Sequence, residues 1–74
     1  MERYKCIIWI SEQTNDITDV VSQICALGFK LQKVNRKVVI GEANAEQLKD
    51  IKMLKNVAFA TWTAMKAHYE YGRN

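Results

Sequence analysis

By residue type, the side chains able to do chemistry are Cys6, Cys25, His68, Ser11, Ser22 and the carboxylates Asp16 and Asp19. Nucleophilic catalysis needs a serine or cysteine in contact with a base, and a third group that orients the base. The one histidine, His68, lies in the C-terminal tail, and no motif surrounds Ser11 or Ser22. Cys6 and Cys25 fall on an expected strand and an expected helix, where a thiol is a small apolar core residue. A zinc site takes three or four closely spaced ligands, and Cys6, Cys25 and His68 are too few and too scattered. Gly28, Gly41 and Gly72 stand alone, so no loop can cradle a phosphate. Asp16 and Asp19 lie one turn apart at the start of an expected helix, where carboxylates complement the helix dipole. The expectation is a chain that is not an enzyme, with no catalytic residue, no metal site and no cofactor.

The elements that would position a binding surface are clearer. The 74 residues suffice for one small core. With 49% hydrophobic and 26% charged residues, the composition is that of a folded domain and not of a disordered segment. The net charge of +3 is mildly basic, short of the dense basic stripe of a dedicated DNA binder. The apolar stretch over residues 6–10 is too short for a signal sequence. No apolar run approaches the roughly 20 residues that span a bilayer. The expectation is a cytoplasmic protein that does not enter a membrane and keeps both thiols reduced.

Residues 4–10 are rich in β-branched and aromatic types with both faces largely apolar, which predicts a central strand. Ile17, Val20, Val21, Ile24 and Leu27 recur at helical spacing, with Gly28 placed to end the helix, so a helix is expected over 16–27. Residues 29–34 and 37–42 alternate as two strands of a hairpin around a turn at Asn35-Arg36. Asn44 with Gln47 three residues on makes a capping box ahead of a second helix, whose buried stripe is Ala45, Leu48, Ile51 and Leu54. Residues 57–63 form the last strand. The order βαββαβ predicts an α+β, ferredoxin-like sandwich: a four-stranded antiparallel sheet with both helices on one face. Residues 1–64 make this domain and residues 65–74 an arm or short helix. Leu31, Val38, Ile40, Val57 and Phe59 are assigned to the covered face of the sheet.

The same alternation assigns Ile7, Trp9, Val34, Val39, Ala58, Ala60 and Trp62 to the uncovered face, with Lys5, Lys30 and Lys37 around them. Strands one and four should be neighbours, which puts Trp9 and Trp62 in one patch. An exposed apolar patch with tryptophans marks an interaction surface. The expected partner is another protein; pairing of two copies through the same face would make a homodimer.

The chain also resembles a known family. The similarity is strongest over residues 42–59, where a strand leads into a helix striped by Leu48, Ile51 and Leu54 and then into Asn56-Val57-Ala58-Phe59. This is similar to the subtilisin propeptides and to the free-standing propeptide-like inhibitors of subtilisin-type proteases. Lys66-Ala67-His68-Tyr69 resembles the family's C-terminal arm. The resemblance implies a protease inhibitor or intramolecular chaperone. In that reading the open sheet face, with Ile7, Trp9, Val39, Ala60 and Trp62, docks on the protease. Ala67, His68 and Tyr69 then occupy its substrate cleft. Thr61-Trp62-Thr63 stands where the family usually carries acidic residues.

Three other readings use the same fold. Trp9 among lysines suits base stacking in a nucleic-acid binder, although the strand over 37–42 lacks that family's aromatics. An ACT-like regulatory domain would bind a metabolite near the loop after the first strand, which here holds no glycine. Small ferredoxin-like proteins without an active site also occur as virus-encoded antagonists of host proteins.

Overall fold

The computed structural model describes residues 2–66, with side chains as far as Thr63. Six elements follow in the order β1 (Tyr4–Ile10), α1 (Thr18–Ala26), β2 (Lys30–Asn35), β3 (Val38–Ala43), α2 (Ala45–Lys52) and β4 (Val57–Lys66). The four strands make one antiparallel sheet in the order β2-β3-β1-β4. This is the expected α+β, ferredoxin-like βαββαβ arrangement, with β1 and β4 adjacent.

Local chemistry accounts for the boundaries. Before α1, the Asp16 carboxylate accepts a hydrogen bond from the Thr18 backbone N–H at 2.9 Å, which satisfies one of the donors a helix start leaves open. That bond holds the Asp16 carboxyl below the usual carboxylate range. Gly28 ends the helix region at φ +103, a conformation in which a Cβ is strained. The capping box at α2 is complete: Asn44 Oδ1 accepts from the Gln47 N–H at 2.8 Å, and Gln47 Oε1 accepts from the Asn44 N–H at 2.9 Å. The same Gln47 side chain lies against Gly28, so a Cβ there would meet its Cδ at 2.9 Å. The end of α1 and the start of α2 are thereby locked together.

The core lies between the helices and one face of the sheet. Ile8, Ile24, Ile51, Val20, Val39 and Cys6 are its largest fully buried side chains. Burying an isoleucine or valine contributes about 1.5–3 kcal/mol. Tyr4, Ile17, Val21, Leu27, Leu54 and Val57 pack around this centre. The Cys6 Sγ donates toward the Tyr4 carbonyl at 3.3 Å, and burial pushes its thiol up from the ordinary cysteine value.

The hairpin differs from its expected form by one residue. The two-residue loop is Arg36-Lys37, because Asn35 pairs with Val38 and Arg36 takes the positive φ of 56°. Lys37 faces the loop after β1, where its ammonium donates to the Glu12 carbonyl and lies 3.9 Å from the Glu12 carboxylate.

Two bulges decide which residues face the helices. Leu31 pairs with Gly41 and Lys33 with Ile40, so Gln32 is an extra residue in β2. Trp9 pairs with Phe59 and Ile10 with Val57, so Ala58 is an extra residue in β4. A bulge reverses the alternation beyond it. Val57, paired with the buried Ile10, therefore faces the helices, while Phe59, paired with Trp9, faces the open side. The expectation that Val57 and Phe59 share a face is overturned by that one extra residue. In β3 the phase is also opposite to expectation. Val39, Gly41 and Ala43 face the core and Val38, Ile40 and Glu42 the open side, because Val39 pairs with Ile8 and Val38 with Trp9.

Gly41 explains why that phase is favoured. The Phe29 ring lies directly over it, and a Cβ at Gly41 would stand 2.5 and 2.6 Å from two ring carbons. Only a glycine on the covered face leaves room for this ring. Leu31, expected in the core, is 41% exposed near the β2 edge.

Candidate functional site

The open face is built from three rows of cross-strand neighbours. Side chains paired across an antiparallel ladder point to the same side. The first row is Lys30, Glu42 and Lys5; the second is Lys33, Ile40, Ile7 and Thr61; the third is Asn35, Val38, Trp9 and Phe59. Ile7, Val38 and Ile40 are half-buried by their neighbours, whereas Trp9 is 37% and Phe59 58% exposed. The Trp9 and Phe59 rings meet with centroids 5.3 Å apart at a tilt of 48°. Tilted contact suits the ring quadrupoles and gives the patch a ridge at one end.

The rim is polar and mainly basic. Lys5 and Lys30 flank Glu42 across the first row, and the Gln32 amide donates to the Glu42 carboxylate at 2.9 Å. The bulge at Gln32 brings Lys33, and not Val34, onto this side. Arg36 stands at the hairpin turn near the other end, where a hollow is lined by Trp9, Glu12, Asn35, Arg36, Lys37 and Val38.

Ile7 and Trp9 thus stand where the sequence places them. Val39 and Ala60 do not. Val39 is fully buried and Ala60 is 3% exposed; they flank Ile8 on the covered side of the sheet, so neither can touch a partner docked on the open face. Trp62 is also on the helix side, as the cross-strand partner of Cys6. It remains 43% exposed at the edge of β4, with its ring 4.9 Å from that of Tyr4. The two tryptophans lie on opposite faces and share no patch. Ala67, His68 and Tyr69 lie outside the described residues. Phe59, Val38 and Ile40 are members of the face that alternation alone assigns elsewhere, and Lys33 joins them as the cross-strand partner of Ile40. The signal that could have found Phe59 is Ala58, a small residue able to sit in a bulge between two large ones.

Among the described residues no group of three histidine, cysteine, aspartate or glutamate side chains could hold a metal ion, and no helix is long and apolar enough to cross a membrane.

The fold and the face define a small α+β domain with a solvent-facing apolar patch framed by lysines. No family model, curated protein or solved structure matches the chain.

Proposed function

We infer that this chain is a non-enzymatic protein-binding module that docks through its open sheet face. The observation that carries this reading is the contiguous patch of Ile7, Trp9, Val38, Ile40 and Phe59. Five apolar side chains in neighbouring register, two of them exposed aromatics, supply the apolar centre and polar rim of an interface. The aliphatic majority favours a protein partner over stacked bases, which need aromatic platforms along a basic track. The resemblance to subtilisin propeptides makes a subtilisin-type protease the specific partner proposed, with the protein acting as an inhibitor in the cytoplasm.

The test is a titration of a subtilisin-type protease with the wild-type chain and with the double variant Trp9→Ser/Phe59→Ser. Inhibition by the wild type, lost in the variant while its circular dichroism is retained, supports the reading. Absence of inhibition at micromolar concentration removes the protease as partner. Salt-sensitive quenching of tryptophan by a single-stranded oligonucleotide would replace protein docking with nucleic-acid binding. Concentration-dependent dimers that the double variant abolishes would make a second copy the occupant of the face.

A further inference from the structure

The far side of β4 is a different surface. β4 is an edge strand: β1 pairs along one side of it and no strand pairs along the other among the described residues. An unpaired edge presents a row of backbone N–H and C=O groups and is normally blunted by charges, short length or bulges. The opposite edge, β2, follows that rule with Lys30, Lys33 and the bulge at Gln32 within six residues. β4 has its own bulge at Ala58 and a second register shift beyond Trp62, but between them it keeps unbroken register with β1 from Phe59 to Trp62, and it carries no charge before Lys66.

α2 flanks this edge. Between helix and strand lie two adjoining hollows, one of about 250 Å³ walled by Leu48, Lys49, Lys52 and Trp62, and one of about 290 Å³ walled by Lys52, Val57, Ala58, Phe59 and Ala60. Lys49 and Lys52 stand three residues apart, hence on one side of the helix. Both are exposed, and neither takes part in an ion pair among the described residues.

We propose that the β4 edge is a strand-addition site for an extended peptide with acidic side chains at alternate positions. Main-chain hydrogen bonds to β4 supply the affinity of such a strand, and its alternate side chains supply the specificity. Alternate residues of a strand lie about 6.8 Å apart. One set points into the hollows, where the two lysines select carboxylates. A second copy of this chain fits less well. Antiparallel pairing of two β4 strands about a two-fold axis puts both Lys49–Lys52 pairs on the same side of the joined sheet, like charge toward like.

The probe is an acetylated, amidated heptapeptide alternating glutamate with valine, titrated calorimetrically against the full chain. Its controls are a lysine-for-glutamate peptide and two versions N-methylated at odd or at even residues. The proposal expects the glutamate peptide to bind and the lysine peptide to bind far less. One methylation pattern should abolish binding and the other spare it. Lys49→Glu/Lys52→Glu should weaken binding roughly tenfold or more, since each pair is a rim interaction, and Trp9→Ser should leave it unchanged. Equal binding of both peptides, indifference to N-methylation, no binding at millimolar peptide, or dependence on Trp9 would each overturn it. Dimers in sedimentation that persist in the Trp9→Ser/Phe59→Ser variant and exclude the peptide would assign the edge to a second copy and likewise overturn it. This site depends on Lys49, Lys52 and the β4 backbone, whereas the open-face reading depends on Trp9, so the two can fail separately.

Discussion

Trp9 and Phe59 are cross-strand partners on the open face of the sheet, with ring centroids 5.3 Å apart. The pair exists because Ala58 is an extra residue in β4, which turns Phe59 away from the core. A phenylalanine that is 58% exposed contributes little to burial. The aromatic contact itself is worth about 0.5–1.5 kcal/mol. Phe59→Ala should therefore cost no more than about that amount in urea unfolding. In a Trp62→Phe background it should also shift the Trp9 emission to the red. A loss typical of a core phenylalanine, about 3–5 kcal/mol, would mean that Phe59 is buried.

Gly41 is expected to be intolerant. Its Cβ position is occupied by the Phe29 ring and the Lys30 carbonyl. Gly41→Ala should destabilise the domain by about 1–3 kcal/mol, the usual cost of overpacking. Adding Phe29→Leu should recover part of that loss, so that the double variant is less destabilised than the two single losses added together.

The two cysteines should differ in reactivity. Cys25 is exposed and Cys6 is buried. A thiol reagent should label Cys25 at once in the native protein and reach Cys6 only through unfolding. Burial is the largest cause raising the Cys6 thiol, a backbone hydrogen bond with Ala43 acts against it, and the charge of Glu42 adds to it. The folded state thus holds this proton more tightly than the unfolded chain, whose thiol titrates near about 8.5. The resulting stability is complete below that value and is lost as pH rises through it toward the folded value. Cys6→Ala should flatten this alkaline slope, whatever its effect on stability at neutral pH.

The capping box offers a sharper local test. Asn44→Ala should cost about 1 kcal/mol, measured by urea unfolding, because it leaves the Gln47 N–H without its acceptor. At α1 the carboxylate of Asp16 is held ionised by the Thr18 N–H. Its contribution is present above the unfolded carboxylate value of about 3.9 and disappears as pH falls through the lower folded value. Asp16→Asn should make the acid limb of the stability curve shallower.

Much of this was legible in the chain itself. The helix stripe of Val20 and Ile24, the stripe of Leu48 and Ile51, the Asn44–Gln47 box and the terminating Gly28 each appear as spacings, because a helix repeats every 3.6 residues and its ends need particular side chains. Alternation places Ile7 and Trp9 on the open face correctly because β1 alternates without interruption up to Trp9. For Val39, Ala60 and Trp62 the same alternation gives the wrong face. In β3 both faces are apolar, so Val38-Val39-Ile40 reads equally well in either phase. In β4 a bulge at Ala58 breaks the alternation and leaves no charge or proline to mark it.

The order of elements, the helix caps and the sites of the turns follow from local spacing and composition, which act within a few residues along the chain. Which side of the sheet each residue of β3 and β4 faces was decided by pairing with β1 and by the Phe29 ring over Gly41. Those are contacts between residues distant in sequence. A one-residue slip reverses a whole strand, so the composition of the docking face is a property of register, and register is settled only when the strands meet.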